Sequence, residues 1–332
     1  MKKVSVIIPC FNATKYLPKC FMSLVQQTIG IDQIELIFVD DASTDEDATW
    51  NMLQEFERAY PESIMILKLE ENMRQGGARN VALQYATGEY IAFVDADDFV
   101  SENFLLETYE KAKESDADII QFEYFYYTDR LGAVDSGRNI TPEVIEISSV
   151  SDRKRFLISE KVTYGCWNKL YRHTLLNEAH TAYAEHVIYE EPLFVYPLLY
   201  FANKIVILND AYYYYRQNDS GTMRNDMRQE ETLKMHADVQ LAVWNFMKKT
   251  PFFKEYYDEI KLYFLHTYLY ETLYFAKLRD FKPSYAFYKE LEKTVITEVP
   301  DYEESTYSAL IPKQMELYRM IEEGMTEEKF GG

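Results

Sequence analysis

Four short apolar runs punctuate the first hundred residues: Val4 to Pro9, Ile34 to Val39, Ile64 to Leu69 and Tyr90 to Val94. Each is almost unbroken in its hydrophobic residues, as a strand buried on both faces requires. The intervening segments carry the 3.6-residue period of helices. Leu17, Phe21, Leu24 and Thr28 share one helical face, and Pro18 is tolerable in its first turn. Trp50, Leu53, Phe56 and Tyr60 share another, preceded by Ser43 and Glu46 at capping-box spacing. A third helix is expected from Gly77 to Ala86, with Gly88 suited to its C-terminal cap. Strands alternating with helices predict an α/β fold, a mostly parallel sheet flanked by helices.

The pattern then loosens. Ser101 is expected to cap a helix reaching Glu114, followed by a strand from Ile119 to Tyr127. Residues 128–147 contain Gly132, Gly137 and Pro142, which predict a hairpin or an excursion over the sheet. Further strands are expected at Trp167 to Tyr171, Lys204 to Leu208 and Tyr212 to Arg216, with a helix over Pro192 to Phe201. Beyond Met227 the period is mainly helical, through Lys248, then from Phe253 to Leu278, then in a weaker acidic segment. This places an α/β domain at residues 1–222 and a mainly helical C-terminal extension at 223–332.

Composition narrows the partners. Hydrophobic residues at 47% and charged residues at 27% describe an ordinary soluble globular protein of 332 residues. A formal charge of −20, with no run of Lys and Arg, argues against nucleic acid. Cys10, Cys20 and Cys166 lack metal-ligand spacing and read as buried free thiols in a reducing compartment, so a cytoplasmic location is expected. The chain is expected to enter a strand within a few residues, so no signal peptide is expected. The apolar stretch from Pro192 to Leu208 is broken by Pro197, Asn203 and Lys204, and falls short of the roughly 20 residues that span a bilayer.

In open α/β sheets, ligands bind beyond the C-terminal ends of the strands. Here those ends bring Pro9, Cys10, Phe11 and Asn12; then Asp40 and Asp41; then Arg74 and Arg79; then Asp95, Asp97 and Asp98. Three clustered carboxylates repel one another, and a divalent cation relieves that repulsion; Mg²⁺ or Mn²⁺ is usually held by one or two carboxylates plus phosphate oxygens. The plainer reading is a strand end followed by a solvated acidic turn. A carboxylate after the second strand can accept hydrogen bonds from a base or ribose, and arginine can donate to diphosphate oxygens. A Rossmann site or a P-loop would need glycines after the first strand, and PCFNATKYL has none.

The ordered segments VSVIIPCFNATKYLPKCFMSLVQQT, IFVDDASTD, GGARNVALQYATGEYIAFVDADD, CWNKLY and YEEPLF resemble the family 2 glycosyltransferases, which have the GT-A fold. The resemblance covers about two thirds of the chain. It implies that Asp41 recognises the base, that Asp40 lies near the ribose, and that Pro9 and Phe11 line the same pocket. Arg79 takes the place of a basic residue near the diphosphate. Asp95 and Asp97 match the DxD motif, with Asp97 as ligand to Mn²⁺ or Mg²⁺, Asp95 at the ribose or metal shell, and Asp98 in a supporting turn. Glu190 and Glu191 stand where the family has its acidic pair, with Glu191 as the base and Glu190 orienting. The second member is Glu where the family has Asp, and the plain alternative is a pair of acids at a helix N-terminus. Trp167, Asn168 and Lys169 match the WNKLY segment near donor sugar and acceptor. Tyr215, Arg216 and Ser220 match a loop that folds over the diphosphate. A core tryptophan and a surface-paired arginine are the plain alternatives for Trp167 and Arg216.

The implied activity is an inverting, metal-dependent transfer of a hexosyl or N-acetylhexosaminyl group. The donor is a nucleotide-diphosphate sugar, expected to be UDP-linked, and the acceptor a saccharide or lipid-linked glycan in surface glycan synthesis. A catalytically silent sugar-nucleotide or glycan-binding protein is the alternative, and a nucleotidyltransferase is a second. Lipid-linked acceptors leave open a peripheral association with the inner membrane face, although the acidic composition supplies no polybasic anchor. The chain has 29 tyrosines; Tyr263, Tyr268, Tyr270 and Tyr274 read as an acceptor path, a homo-oligomer interface or core.

Overall fold

The computed structural model describes residues 2–138, 140–217, 230–278, 281–302, 304 and 307. The chain divides into two compact units, Met1–Asp219 and Ser220–Gly332. The expected boundary at residue 222, and Ser220, fall outside the described residues.

The first unit opens with β1 (Val4–Cys10), α1 (Leu17–Val25), β2 (Ile34–Asp40), α2 (Ala48–Ala59), β3 (Ile64–Lys68), α3 (Arg74–Leu83) and β4 (Tyr90–Phe93). β1 pairs in parallel with β2 and β4, and β2 with β3, so the apolar runs form one parallel block. All seven residues of β1 are buried, as its unbroken hydrophobicity requires. Phe21 of α1 stacks on Phe56 of α2 at 3.7 Å, and both rings meet Phe38 of β2.

Next come β5 (Phe99–Val100), α4 (Phe104–Ser115), β6 (Ile119–Thr128), β7 (Gly132–Asp135), β8 (Glu143–Glu146), α5 (Val150–Leu157), β9 (Lys169–Arg172), α6 (His173–Ala179), α7 (Glu191–Phe201) and β10 (Lys204–Arg216). The sheet runs β3-β2-β1-β4-β9-β6-β10-β5, with β7 beside β6 and β8 beside β10. β6 and β10 are parallel, whereas β9 is antiparallel to both β4 and β6. The second half of the sheet is therefore mixed.

Several local expectations are corrected. α2 starts at Ala48, and Ser43 and Glu46 do not cap it. The Ser43 hydroxyl instead accepts the Asn12 N–H, and Asp45 accepts the Thr49 N–H, which ties this loop to the end of β1. α4 starts at Phe104 and Ser101 does not cap it: the Ser101 N–H donates to the Tyr212 carbonyl of β10, and its hydroxyl oxygen is buried without a partner among the described residues. α3 begins at Arg74, earlier than Gly77. Lys204 to Arg216 is one strand, and the polar pair Asn209 and Asp210 falls where its register with β6 shifts.

The second unit contains α8 (Glu230–Met247), α9 (Tyr257–Phe264), a π-helical segment (Leu265–Glu271), α10 (Thr272–Leu278) and α11 (Tyr285–Glu298). The single helix expected over Phe253 to Leu278 is thus interrupted by a π-helical stretch. Tyr263 and Tyr268 are buried, and the Tyr263 hydroxyl donates to Gln240 Oε1 at 2.9 Å. Tyr274 is exposed. No helix among the described residues is long and apolar enough to cross a membrane.

Candidate active site

Arg79, midway along α3, is only 1% exposed. Its Nη2 donates to Asp95 Oδ1 at 2.7 Å, and its Nη1 to Glu190 Oε1 at 2.5 Å. One guanidinium therefore joins the end of β4 to the start of α7. The cost of burying three charges is offset because each carboxylate meets a planar donor directly. Arg79, expected beside a diphosphate, has both terminal nitrogens engaged by carboxylates.

Gly76 makes this approach sterically feasible. A Cβ there would lie 2.2 Å from the Ala184 carbonyl oxygen and 2.9 Å from Glu190 Cγ. The backbone at Tyr189, just before Glu190, is left-handed with φ of 65°. Asn12, Ala42 and Arg74 are left-handed as well, so strained backbone gathers at the strand ends that form the site.

Glu191 is the next residue along. Its Oε1 accepts the Cys166 N–H at 3.1 Å. Burial, and then the adjacent Glu190 carboxylate, push Glu191 up to about 7, against the opposing pull of Arg79 and the Cys166 N–H. A carboxylate poised near neutrality has the acidity a general base needs.

The Cys166 peptide is set by a loop clamp. Lys169 is fully buried and uses its three donors on Gly165 O at 2.6 Å, Asn168 Oδ1 at 2.8 Å and Thr163 Oγ1 at 3.0 Å. Burial lowers Lys169 to about 7. Asn168 is likewise buried and donates to the Phe122 carbonyl. Both were expected at the donor or acceptor; they point inward and hold the 163–168 loop. Trp167 is partly buried and stacks on Tyr215 at 5.3 Å.

The acidic turn is built in layers. Asp98 is buried and accepts the Tyr213 hydroxyl at 2.7 Å and the Arg216 N–H at 2.6 Å. Burial, and then the Asp97 and Asp95 carboxylates, push its pKa well above the ordinary carboxylate range. Arg216 is buried under the turn, donating through Nε to the Asp97 carbonyl at 2.8 Å and through Nη1 to Asp129 at 2.5 Å. Asp98, expected in a supporting turn, is held by Tyr213, which sequence reasoning missed; the apolar YYYYR run was the available signal. Among the described residues, no three His, Cys, Asp or Glu side chains are grouped to hold a metal. A cation at Asp95 and Asp97 would need further oxygens, such as phosphate or water, which suits hard Mg²⁺ or Mn²⁺.

Asp40 and Asp41 end β2 and begin its loop. Asp41 Oδ1 accepts the Met73 N–H at 2.7 Å, and burial pushes this carboxyl up to about 6. Asp40 Oδ1 accepts the Ser43 N–H at 3.1 Å, while its Oδ2 is buried without a protein partner. Pro9 is buried within β1, and Phe11 just beyond it is 47% exposed. An unpaired buried acceptor and an exposed ring thus stand at neighbouring strand ends. A planar heterocycle with N–H groups is the chemistry they fit.

The model for "Glycosyl transferase family 2" matches residues 5–179. The glycosyltransferase GlyG of Streptococcus pneumoniae is 31% identical over 67% of this chain and 73% of its own length. The poly(ribitol-phosphate) β-N-acetylglucosaminyltransferase TarS of Staphylococcus aureus is 30% identical over 67% of this chain but 36% of its own length. The crystal structure of TarS residues 1–349 in complex with UDP-GlcNAc superposes with a TM-score of 0.73 at 22% identity, covering 97% of this chain and 90% of that one.

Proposed function

The chain belongs to glycosyl transferase family 2, with the GT-A fold, and on that premise we propose that it is an inverting, metal-dependent transferase. Its donor is a UDP-linked hexose or N-acetylhexosamine, and its acceptor a saccharide or lipid-linked glycan of a cell surface. The observation that carries this reading is the Arg79 bridge, which brings the DxD strand end and the Glu190–Glu191 pair into one site although Arg79 and Glu190 are 111 residues apart.

In the proposed reaction an acceptor hydroxyl gives its proton to the Glu191 carboxylate as its oxygen bonds the anomeric carbon. The nucleoside diphosphate leaves from the opposite face, which inverts the centre. Glu190 and Asp95 are held in mutual register by Arg79, whose role is positioning. Asp40, Asp41, Pro9 and Phe11 take the base and ribose, and Asp97 with Asp95 would hold Mn²⁺ or Mg²⁺. When bound, that cation supplies charge neutralisation to the diphosphate. The relatives' names support the donor class: TarS was crystallised with UDP-GlcNAc.

The test is a panel of nucleotide sugars incubated with Mn²⁺, scored for binding and slow hydrolysis. Release of nucleoside diphosphate is expected. Release of pyrophosphate would favour a nucleotidyltransferase, and binding with no turnover against any acceptor would favour a silent binding protein.

A further inference from the structure

Beside the proposed base, the sheet carries an aromatic strip that the reaction as described does not use. Tyr124 and Tyr126 are two apart on β6, Tyr213 and Tyr215 two apart on β10, and the parallel register sets Tyr213 against Tyr124 and Tyr215 against Tyr126. All four rings share one face of the sheet. Trp167 backs them, 5.3 Å from Tyr215 and 4.8 Å from Tyr124. The Tyr126 ring stands 5.4 Å from Tyr124 and 6.2 Å from Tyr215, and Tyr126 is 38% exposed.

We propose that this strip is the acceptor platform, and that it receives an uncharged saccharide ring in preference to a polyanionic chain. The proposal rests on the transferase reading above. Three observations support it. First, the strip is continuous with the reaction centre: Trp167 follows Cys166, whose N–H holds Glu191. Second, Tyr215 stands one residue before Arg216, which holds the Asp97 carbonyl, and it lies within the fields of Asp98, Asp95, Asp97 and Glu191. Burial and those carboxylates push its hydroxyl well above the usual range, so it is an O–H donor at neutral pH. Third, the ring-bearing residues are uncharged, and Arg138 close by is paired with Glu123 at 3.6 Å. A sugar presents C–H faces to rings and hydroxyls to their edges, whereas a phosphate would find no unpaired cation among the ring-bearing residues and would meet the fields of Asp95, Asp97, Asp98 and Glu191 at Tyr215.

The test uses the full chain and three probes: cellotetraose, chitotetraose and a ribitol-phosphate oligomer, followed by saturation-transfer NMR and titration. At least one neutral probe is expected to bind, with the phosphate oligomer weaker. Tyr126→Ala should weaken that binding by about threefold to tenfold while Tyr126→Phe retains it. Both should bind UDP-GlcNAc as the wild type does. Preference for the ribitol-phosphate oligomer, no binding of either neutral probe, or unchanged affinity in Tyr126→Ala overturns the platform. Failure of the wild type to bind any nucleotide sugar would instead strike the transferase reading.

Discussion

Replacing Arg79 by Met keeps much of the side-chain length and removes the charge that two buried carboxylates share. Arg79 is 1% exposed, and the side chains of Asp95 and Glu190 are 13% and 7% exposed. Solvent therefore screens these pairs little, and breaking a buried pair by deleting one partner costs about 3 to 5 kcal/mol. For a unit of this size that corresponds to a fall in Tm of roughly 6 to 20 °C. The Arg79→Met/Glu190→Gln double variant strands one charge fewer and should recover roughly 1 to 3 kcal/mol. It should not recover turnover, because the start of α7 is still no longer tied to the end of β4. Thermal and urea unfolding followed by circular dichroism give the stabilities, and product release gives the rates. Arg79→Met within about 1 kcal/mol of wild type, or a double variant no more stable than the single one, refutes the bridge as the organising contact.

Glu191→Gln keeps an oxygen for the Cys166 N–H but cannot accept a proton, so turnover should fall by about 10² to 10⁴ with donor affinity unchanged in titration. The wild-type pH profile should show the same group: a base must be deprotonated, so kcat/KM rises with pH up to about 7 and then levels, and that limb is absent from the residual activity of the variant. Gly76→Ala drives a methyl into the Ala184 carbonyl and Glu190, costing roughly 1 to 3 kcal/mol by unfolding and lowering kcat more than donor affinity.

The parallel half of the sheet was legible because β1, β2 and β4 are nearly unbroken apolar runs between amphipathic helices, and few other patterns bury both strand faces. α5 was invisible for the opposite reason. Its buried residues are Phe156 and Arg153, and Arg153 donates to the Leu199 and Ala202 carbonyls, so a charged residue shares the core face with a single ring. The site residues at single strand ends could be read from local motifs. The Arg79 bridge could not, because a pairing across 111 residues leaves no periodicity. Asn168 and Lys169 were placed near donor and acceptor by the resemblance of the WNKLY segment alone; in the structure Lys169 donates to the Gly165 carbonyl and the Asn168 side chain of its own loop.

The central claim is that the DxD strand end and the Asp40–Asp41 loop form one donor site, and titration of UDP-GlcNAc into the protein with and without Mn²⁺ tests it most directly. Binding strengthened by Mn²⁺ in the wild type, with that dependence lost in Asp97→Ala, is the predicted result. Absence of binding under both conditions, or an Asp97→Ala variant with the same Mn²⁺ dependence, would contradict it.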